Sequence, residues 1–121
     1  MENRTKGNLE AELSRSFTQW EKDYLGRGSV AVKTDILRHM VIVSLRGILT
    51  AAEYRLCETR EGTLSIKRSR TELVEAASED VKNIVEKCTG EEVKSFYTDL
   101  STVTGERMMI FTLKDNLEIK L

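Results

Sequence analysis

The sequence has no proline, one histidine, two cysteines and no long apolar run. Average usage would give about six prolines in a chain of this length, so rigid X-Pro turns are excluded and helices run without forced breaks. No apolar segment approaches the roughly 20 residues of a membrane-spanning helix. Cys57 and Cys88 lack a second cysteine or a histidine at ligand spacing, so we expect no zinc site and two free, half-buried thiols.

Charge is abundant but balanced, with 19 basic and 20 acidic residues and a net charge of −1. A general nucleic-acid binder usually carries a clear basic excess, so nucleic acid is not an expected partner. One segment, residues 63–71, holds Lys67, Arg68 and Arg70 without an acid. It could bind phosphate, acidic lipid or RNA, although a solvated helix face with intrahelical pairs is the favoured interpretation.

The length predicts a single domain spanning residues 1–121. The polar start of the chain lacks the apolar core of a signal peptide, so we expect a cytoplasmic protein without membrane insertion. Residues 1–7 are expected to be frayed.

The first half of the chain predicts a helix followed by a hairpin. Asn8 is expected as the N-cap of the helix and Gly26 as its stop. Alternation then predicts a strand over 30–37 and a second from Met40 to about Arg46 or Ile48, joined by a turn at Arg38 and His39. The helix carries one apolar stripe at helical spacing, which we expect to pack on the sheet: Leu9, Leu13, Phe17, Trp20 and Tyr24.

A helical region separates this hairpin from a second one. Thr50 and Glu53 form a capping-box pattern that starts a helix ending near Arg60. An interruption is expected at Gly62, and a longer helix follows as far as Gly90. The sequence leaves open whether that helix is kinked near Ser78 or restarts there.

Strands are predicted over 93–100 and 107–113, with a loop in which Gly105 supplies a positive φ. The alternating tail, Leu117 to Leu121, is expected to pair with a sheet edge or a partner. We therefore predict an α+β fold of order α-β-β-α-α-β-β, in which helices cover one face of a four-stranded, largely antiparallel sheet. The apolar tail and the aromatic helix favour a homodimer.

The ordered set of segments resembles the MpsC-like family of small bacterial proteins. Prolines are frequent in that family where this chain has Ser29 and Ala51. The resemblance implies an association with a Na+-translocating, membrane-potential-generating system, and hence a membrane transport complex as partner. It implies no residue-level mechanism. The matching segments are GNLEAELSRSFTQWEKDYLGRG, VKTDILRHMVIVSLRGILTAAE, EGTLSIKRSRTELVEAA and TDLSTVTGERMMIFTL.

The turn Gly26-Arg27-Gly28 is one candidate binding site. Backbone N–H groups in such a turn can form an anion-binding nest, and Arg27 adds positive charge. A phosphate loop would follow a strand and precede a helix, whereas this turn follows a helix. Simple helix termination is the competing interpretation.

The end of the second hairpin is the other candidate site. Asp99, Thr104, Gly105, Glu106 and Arg107 gather polar side chains that could orient a small ligand or a partner loop. The competing interpretation is a polar tip whose side chains bond their own backbone.

No catalytic, cofactor or metal motif is present in the sequence. The leading hypothesis is therefore a non-enzymatic accessory or regulatory binding protein. An RNA- or nucleotide-binding module is one alternative, with Phe96, Tyr97 or Phe111 stacking on bases.

A small-substrate enzyme is the second alternative. It would use Asp99, Glu106 or His39 as acid or base, and it requires a pocket that brings two of them together.

Overall fold

A computed structural model describes residues 4–121, within which five helices and four strands follow one another. The expected α+β class, with helices on one face of an antiparallel sheet, is confirmed. Residues 1–7 were expected to be frayed, but Lys6 and Gly7 belong to the first helix. For residues 1–3 this expectation lies outside the described part of the chain. The elements are α1 (Lys6–Leu25), β1 (Ala31–Leu37), β2 (Met40–Arg46), α2 (Ala51–Leu56), α3 (Arg60–Ala76), α4 (Ser78–Thr89), β3 (Val93–Ser101), β4 (Glu106–Leu113) and α5 (Leu117–Lys120).

Helix α1 begins two residues before the predicted cap. The side chain of Thr5 accepts a hydrogen bond from the Asn8 backbone N–H at 3.1 Å, so Asn8 lies inside the first turn and is not the N-cap. The apolar stripe is buried as expected except at its end, where Tyr24 is exposed, and the ring of Phe17 lies 5.7 Å from that of Phe111. Gly26 ends the helix with φ 84°, a left-handed conformation that favours glycine.

The sheet has the order β1-β2-β4-β3, and all its pairings are antiparallel. Strands β2 and β4 are therefore central, and their alternate residues form the core beneath α1 and α4. Arg38, with φ 56°, and His39 form the predicted β1–β2 turn. The opposite face of the sheet carries no helix of the described chain.

The helical region divides at different points from those predicted. Helix α2 ends at Leu56, and Thr59 caps α3, so the expected interruption at Gly62 is wrong. Gly62 lies in the first turn of α3, where an added Cβ would stand 1.7 Å from the Leu56 carbonyl oxygen. Glycine is thus required there by close packing rather than by a helix break. A second break falls at Ala77, so the helix ends there and a new helix, α4, begins at Ser78.

The tail is not a strand. Residues Leu117–Lys120 form the short helix α5, whose Leu117 is buried while Ile119 is 79 % exposed. The backbone N–H of Glu118 donates to the Arg38 carbonyl, which docks this turn beside the β1–β2 hairpin. The apolar alternation was misleading because Asn116 caps a helical turn instead.

Candidate functional site

A cavity of about 310 Å³ lies at the sheet end that carries the β3–β4 turn. The C-terminal part of α1, the turn after it, and helices α2 and α3 enclose it above β2 and β4. This volume is at the small end of the range for ligand pockets. Its apolar wall is formed by Leu25, Leu45, Ile48, Leu73, Val74 and Met109.

Arg107 is the most unusual residue on the cavity wall. It alternates in phase with Met109 and Phe111, so it lies on the core face of β4 and is only 3 % exposed. Its Nη1 donates to Thr98 Oγ1 at 2.8 Å, whereas its Nη2 is buried without a partner among residues 4–121.

Burial lowers the pKa of Arg107 to about 10, and the nearby charge of Arg70 acts in the same direction. The guanidinium nevertheless stays protonated at neutral pH. A buried charge is costly unless it is paired and fully hydrogen-bonded. The cavity wall therefore carries a cation with an unused N–H donor.

Trp20 supplies a second unused donor. Its indole Nε1 is buried and has no hydrogen-bond partner in the described part of the chain, and the residue is 8 % exposed. The Trp20 ring stacks on Tyr24 at 5.5 Å, and the Tyr24 hydroxyl donates to the Leu73 carbonyl at 2.9 Å. These contacts fix the orientation of the Trp20 ring, which lines the cavity. Buried tryptophan N–H groups usually find a partner, so the unpartnered Nε1 is unusual.

The two glutamates of the cavity already have partners. Glu21 accepts from the backbone N–H of Ser29 at 3.0 Å and from the Ser29 hydroxyl. Glu53 accepts from Arg70 Nε at 2.9 Å and from the Thr50 backbone N–H at 2.9 Å, which completes the predicted capping box. The Arg70 hydrogen bond lowers the pKa of Glu53, so this carboxylate stays ionised at neutral pH.

The turn Gly26-Arg27-Gly28 contributes two of its three residues to the cavity wall. Arg27 and Gly28 line it, while Gly26 ends α1 outside it. Arg27 is exposed at the rim and donates to the Gly47 carbonyl at 2.8 Å. The Ser29 N–H, which follows the turn, is already bonded to Glu21.

The hairpin-end residues divide between the cavity and the surface. Arg107 reaches the cavity, so its placement in a polar tip is wrong. The side chain of Asp99 is 76 % exposed and lies 3.5 Å from Lys67, and Thr104 is also exposed. Neither of these two residues lines the cavity.

Gly105 and Glu106 do not line the cavity, and each contacts a residue outside it. A Cβ at Gly105 would stand 2.0 Å from the Tyr54 hydroxyl oxygen, and its φ of 70° confirms the predicted positive value. Glu106 pairs with Arg46 at 3.3 Å on the helix-free face.

The stacking alternative keeps one of its three aromatic residues, and the acid–base alternative loses its pairs. Phe111 is fully buried and Phe96 stacks on it at 4.8 Å, which leaves neither ring free for a base, whereas Tyr97 is 59 % exposed. His39 is exposed at the β1–β2 turn, at the opposite end of the sheet from Asp99 and Glu106. The cavity brings none of these three polar residues together.

Sequence reasoning missed Trp20, Glu21, Glu53 and Arg70 as cavity residues. One signal was available for Glu21, which follows Leu13 and Phe17 at spacings of four and so lies in phase with the apolar stripe. Arg107 carried the same kind of signal on β4. A charged residue in phase with a buried face indicates an internal site more directly than a polar loop does.

The family described as "Na+-translocating membrane potential-generating system (MpsC)" matches residues 5–115. The chain belongs to the MpsC family. It is similar to a Bacillus subtilis (strain 168) protein named "Uncharacterized protein YbcI", with 63% identity over 118 residues, 98% of this chain and 95% of that protein.

No solved structure matches this MpsC-family chain. Between residues 4 and 121, no helix has both the length and the apolar character needed to cross a bilayer. The match to the family over residues 5–115 confirms that the chain is a member of the family that its sequence resembles.

Proposed function

We propose that this MpsC-family protein is a non-enzymatic accessory or regulatory component of a Na+-translocating, membrane-potential-generating system, and that it acts by binding a small molecule in the cavity. The association with a Na+-translocating system rests on the family match. One observation carries the binding role: Arg107 is buried and protonated on the cavity wall, and its Nη2 has no partner within the described residues. A ligand with an acceptor group would complete this donor set.

Binding suits the cavity better than catalysis because both of its carboxylates already accept hydrogen bonds from neighbouring residues. Arg70 holds Glu53 as an anion, and both oxygens of the Glu21 carboxylate accept hydrogen bonds from Ser29. A general acid or base instead needs a pKa near the working pH and reach to a substrate proton. The cavity thus offers unpaired donors and an apolar wall, which are the usual parts of a binding pocket.

The proposal includes a cytoplasmic location and a homodimer. The two free, half-buried thiols suit a reducing compartment. The helix-free sheet face carries half-buried Met40, Ile42, Met108 and Ile110, beside the exposed and oppositely charged Lys33 and Asp35. A second copy related by a two-fold axis would cover the apolar centre and could pair these charges across the interface.

Affinity capture from native cells tests the accessory role. Tagged wild-type protein and two arginine variants, Arg107→Met and Arg15→Met, would be compared. Arg15 is a matched control because it is exposed on helix α1, away from both the cavity and the helix-free sheet face. We expect wild type and Arg15→Met to recover a membrane-associated ion-transport protein, and Arg107→Met to recover a different amount. Failure of every variant to recover such a partner would refute the accessory role.

A further inference from the structure

We infer that the cavity ligand is a monocarboxylate with a short apolar body, and that Arg107 and Trp20 bind its carboxylate. This inference rests on the proposed binding function and names the chemical class of the ligand. Three properties of the cavity carry it: its formal charge, the kind of polar group left unused, and the composition and size of its wall.

The formal charge of the cavity favours a single negative charge on the ligand. Arg27, Arg70 and Arg107 give three positive charges, and Glu21 and Glu53 give two negative charges, so the wall carries a net charge of +1. Arg70 and Glu53 neutralise each other through a direct ion pair. A monoanion beside Arg107 would balance the remainder, whereas a dianion would leave an excess negative charge in a poorly solvated site.

The unused polar groups are donors only. The guanidinium and the indole N–H have no acceptor capacity, so they exclude an ammonium group as the bound head. Arg107 Nη2 and Trp20 Nε1 are two N–H groups without partners among the described residues. Both atoms are covered in the free protein, so the Arg107 and Trp20 side chains must shift slightly for a ligand to contact them. A carboxylate has two acceptor oxygens and forms strong charge-assisted hydrogen bonds with arginine.

The rest of the wall is apolar and small. Six apolar side chains contribute to it, among them Leu45, Ile48 and Val74. A volume of about 310 Å³ corresponds to about ten water-sized groups at roughly 30 Å³ each. Hexanoate is therefore a suitable probe, because its carboxylate and five further carbons fit this volume without filling it.

Titration calorimetry with four probes tests the ligand class: hexanoate, hexanol, hexylamine and inorganic phosphate. Trp20 is the only tryptophan in the chain, so its fluorescence reports binding at this cavity independently. We expect hexanoate to bind at least tenfold more tightly than each other probe and to change the Trp20 emission. Equal binding of hexanol, or preferred binding of phosphate or hexylamine, would overturn the inference.

Variants separate the carboxylate contact from general hydrophobic binding. Arg107→Met should weaken hexanoate at least tenfold while leaving hexanol within about twofold, and Arg107→Lys should give an intermediate loss because it keeps charge without the planar fork. Arg15→Met, an exposed position on α1, should bind like wild type. Unchanged hexanoate affinity in Arg107→Met would refute the role of Arg107.

The ligand class and the accessory role can fail separately. If phosphate or hexanol binds and changes the Trp20 emission, the carboxylate class is wrong and the binding function stands. If hexanoate binds as expected but affinity capture recovers no transport protein, the ligand class stands and the accessory role falls. If no probe binds, the monocarboxylate inference is refuted.

Discussion

Replacing Arg107 with methionine should stabilise the unliganded protein. The pKa of about 10 implies that burial costs the charged form roughly 3 kcal/mol relative to water. Methionine removes that cost and keeps an unbranched side chain in the core, but it loses the hydrogen bond to Thr98, worth about 1.5 kcal/mol. The net gain is therefore about 1–2 kcal/mol, or a rise in melting temperature on the order of 5 °C.

Urea unfolding followed by Trp20 fluorescence measures this change. The protein should first be refolded from denaturant, because a retained ligand would stabilise the wild type by mass action. Arg15→Met is the control, and its exposed position on α1 predicts a change within about 0.5 kcal/mol. A destabilisation of Arg107→Met by more than 1 kcal/mol would contradict the account, because Arg107 would then be satisfied in the free protein rather than held ready for a ligand.

Three further predictions concern other parts of the structure. Arg70→Met should lower the free energy of unfolding by about 1–2 kcal/mol at pH 7, a figure discounted for partial exposure. Because Arg70 lowers the pKa of Glu53, the difference in urea midpoint between variant and wild type should shrink as the pH falls below about 4.3. A difference that does not change with pH would argue against the Arg70–Glu53 ion pair. Gly105→Ala should destabilise by about 1–3 kcal/mol in thermal melts, since its φ is positive and a Cβ would meet the Tyr54 hydroxyl; an unchanged melting temperature would refute that close contact. Ile110→Lys should convert the proposed dimer to a monomer in sedimentation velocity at micromolar concentration, and a wild-type monomer would remove the dimer from the account.

Much of the fold followed from local sequence signals. The α1 stripe, the Thr50–Glu53 capping box and the glycines at 26, 90 and 105 each act over a few residues, so the sequence contains the full physical cause. The misplaced break at Gly62 had a tertiary cause. The glycine is required by the approach of the Leu56 carbonyl, which depends on how α2 and α3 meet.

The cavity was less predictable because distant segments build it. Trp20, Glu53 and Arg107 come from α1, α2 and β4, and the sequence alone does not fix the strand order that brings them together. Arg27, Gly28 and Arg107 were predicted as binding residues, and the structure places all three at the cavity. Arg27 and Gly28 lie in the predicted turn after α1, whereas the placement of Arg107 in a surface turn was incorrect, because the alternation of β4 turns Arg107 inward.

Native mass spectrometry of the protein purified gently from its own host cells tests the central claim most directly. Wild type and Arg15→Met should carry an additional small mass that dissociates on activation, and Arg107→Met should carry none. Wild type without bound mass, or the same mass retained by Arg107→Met, would contradict the claim that the Arg107 cavity is a ligand-binding site.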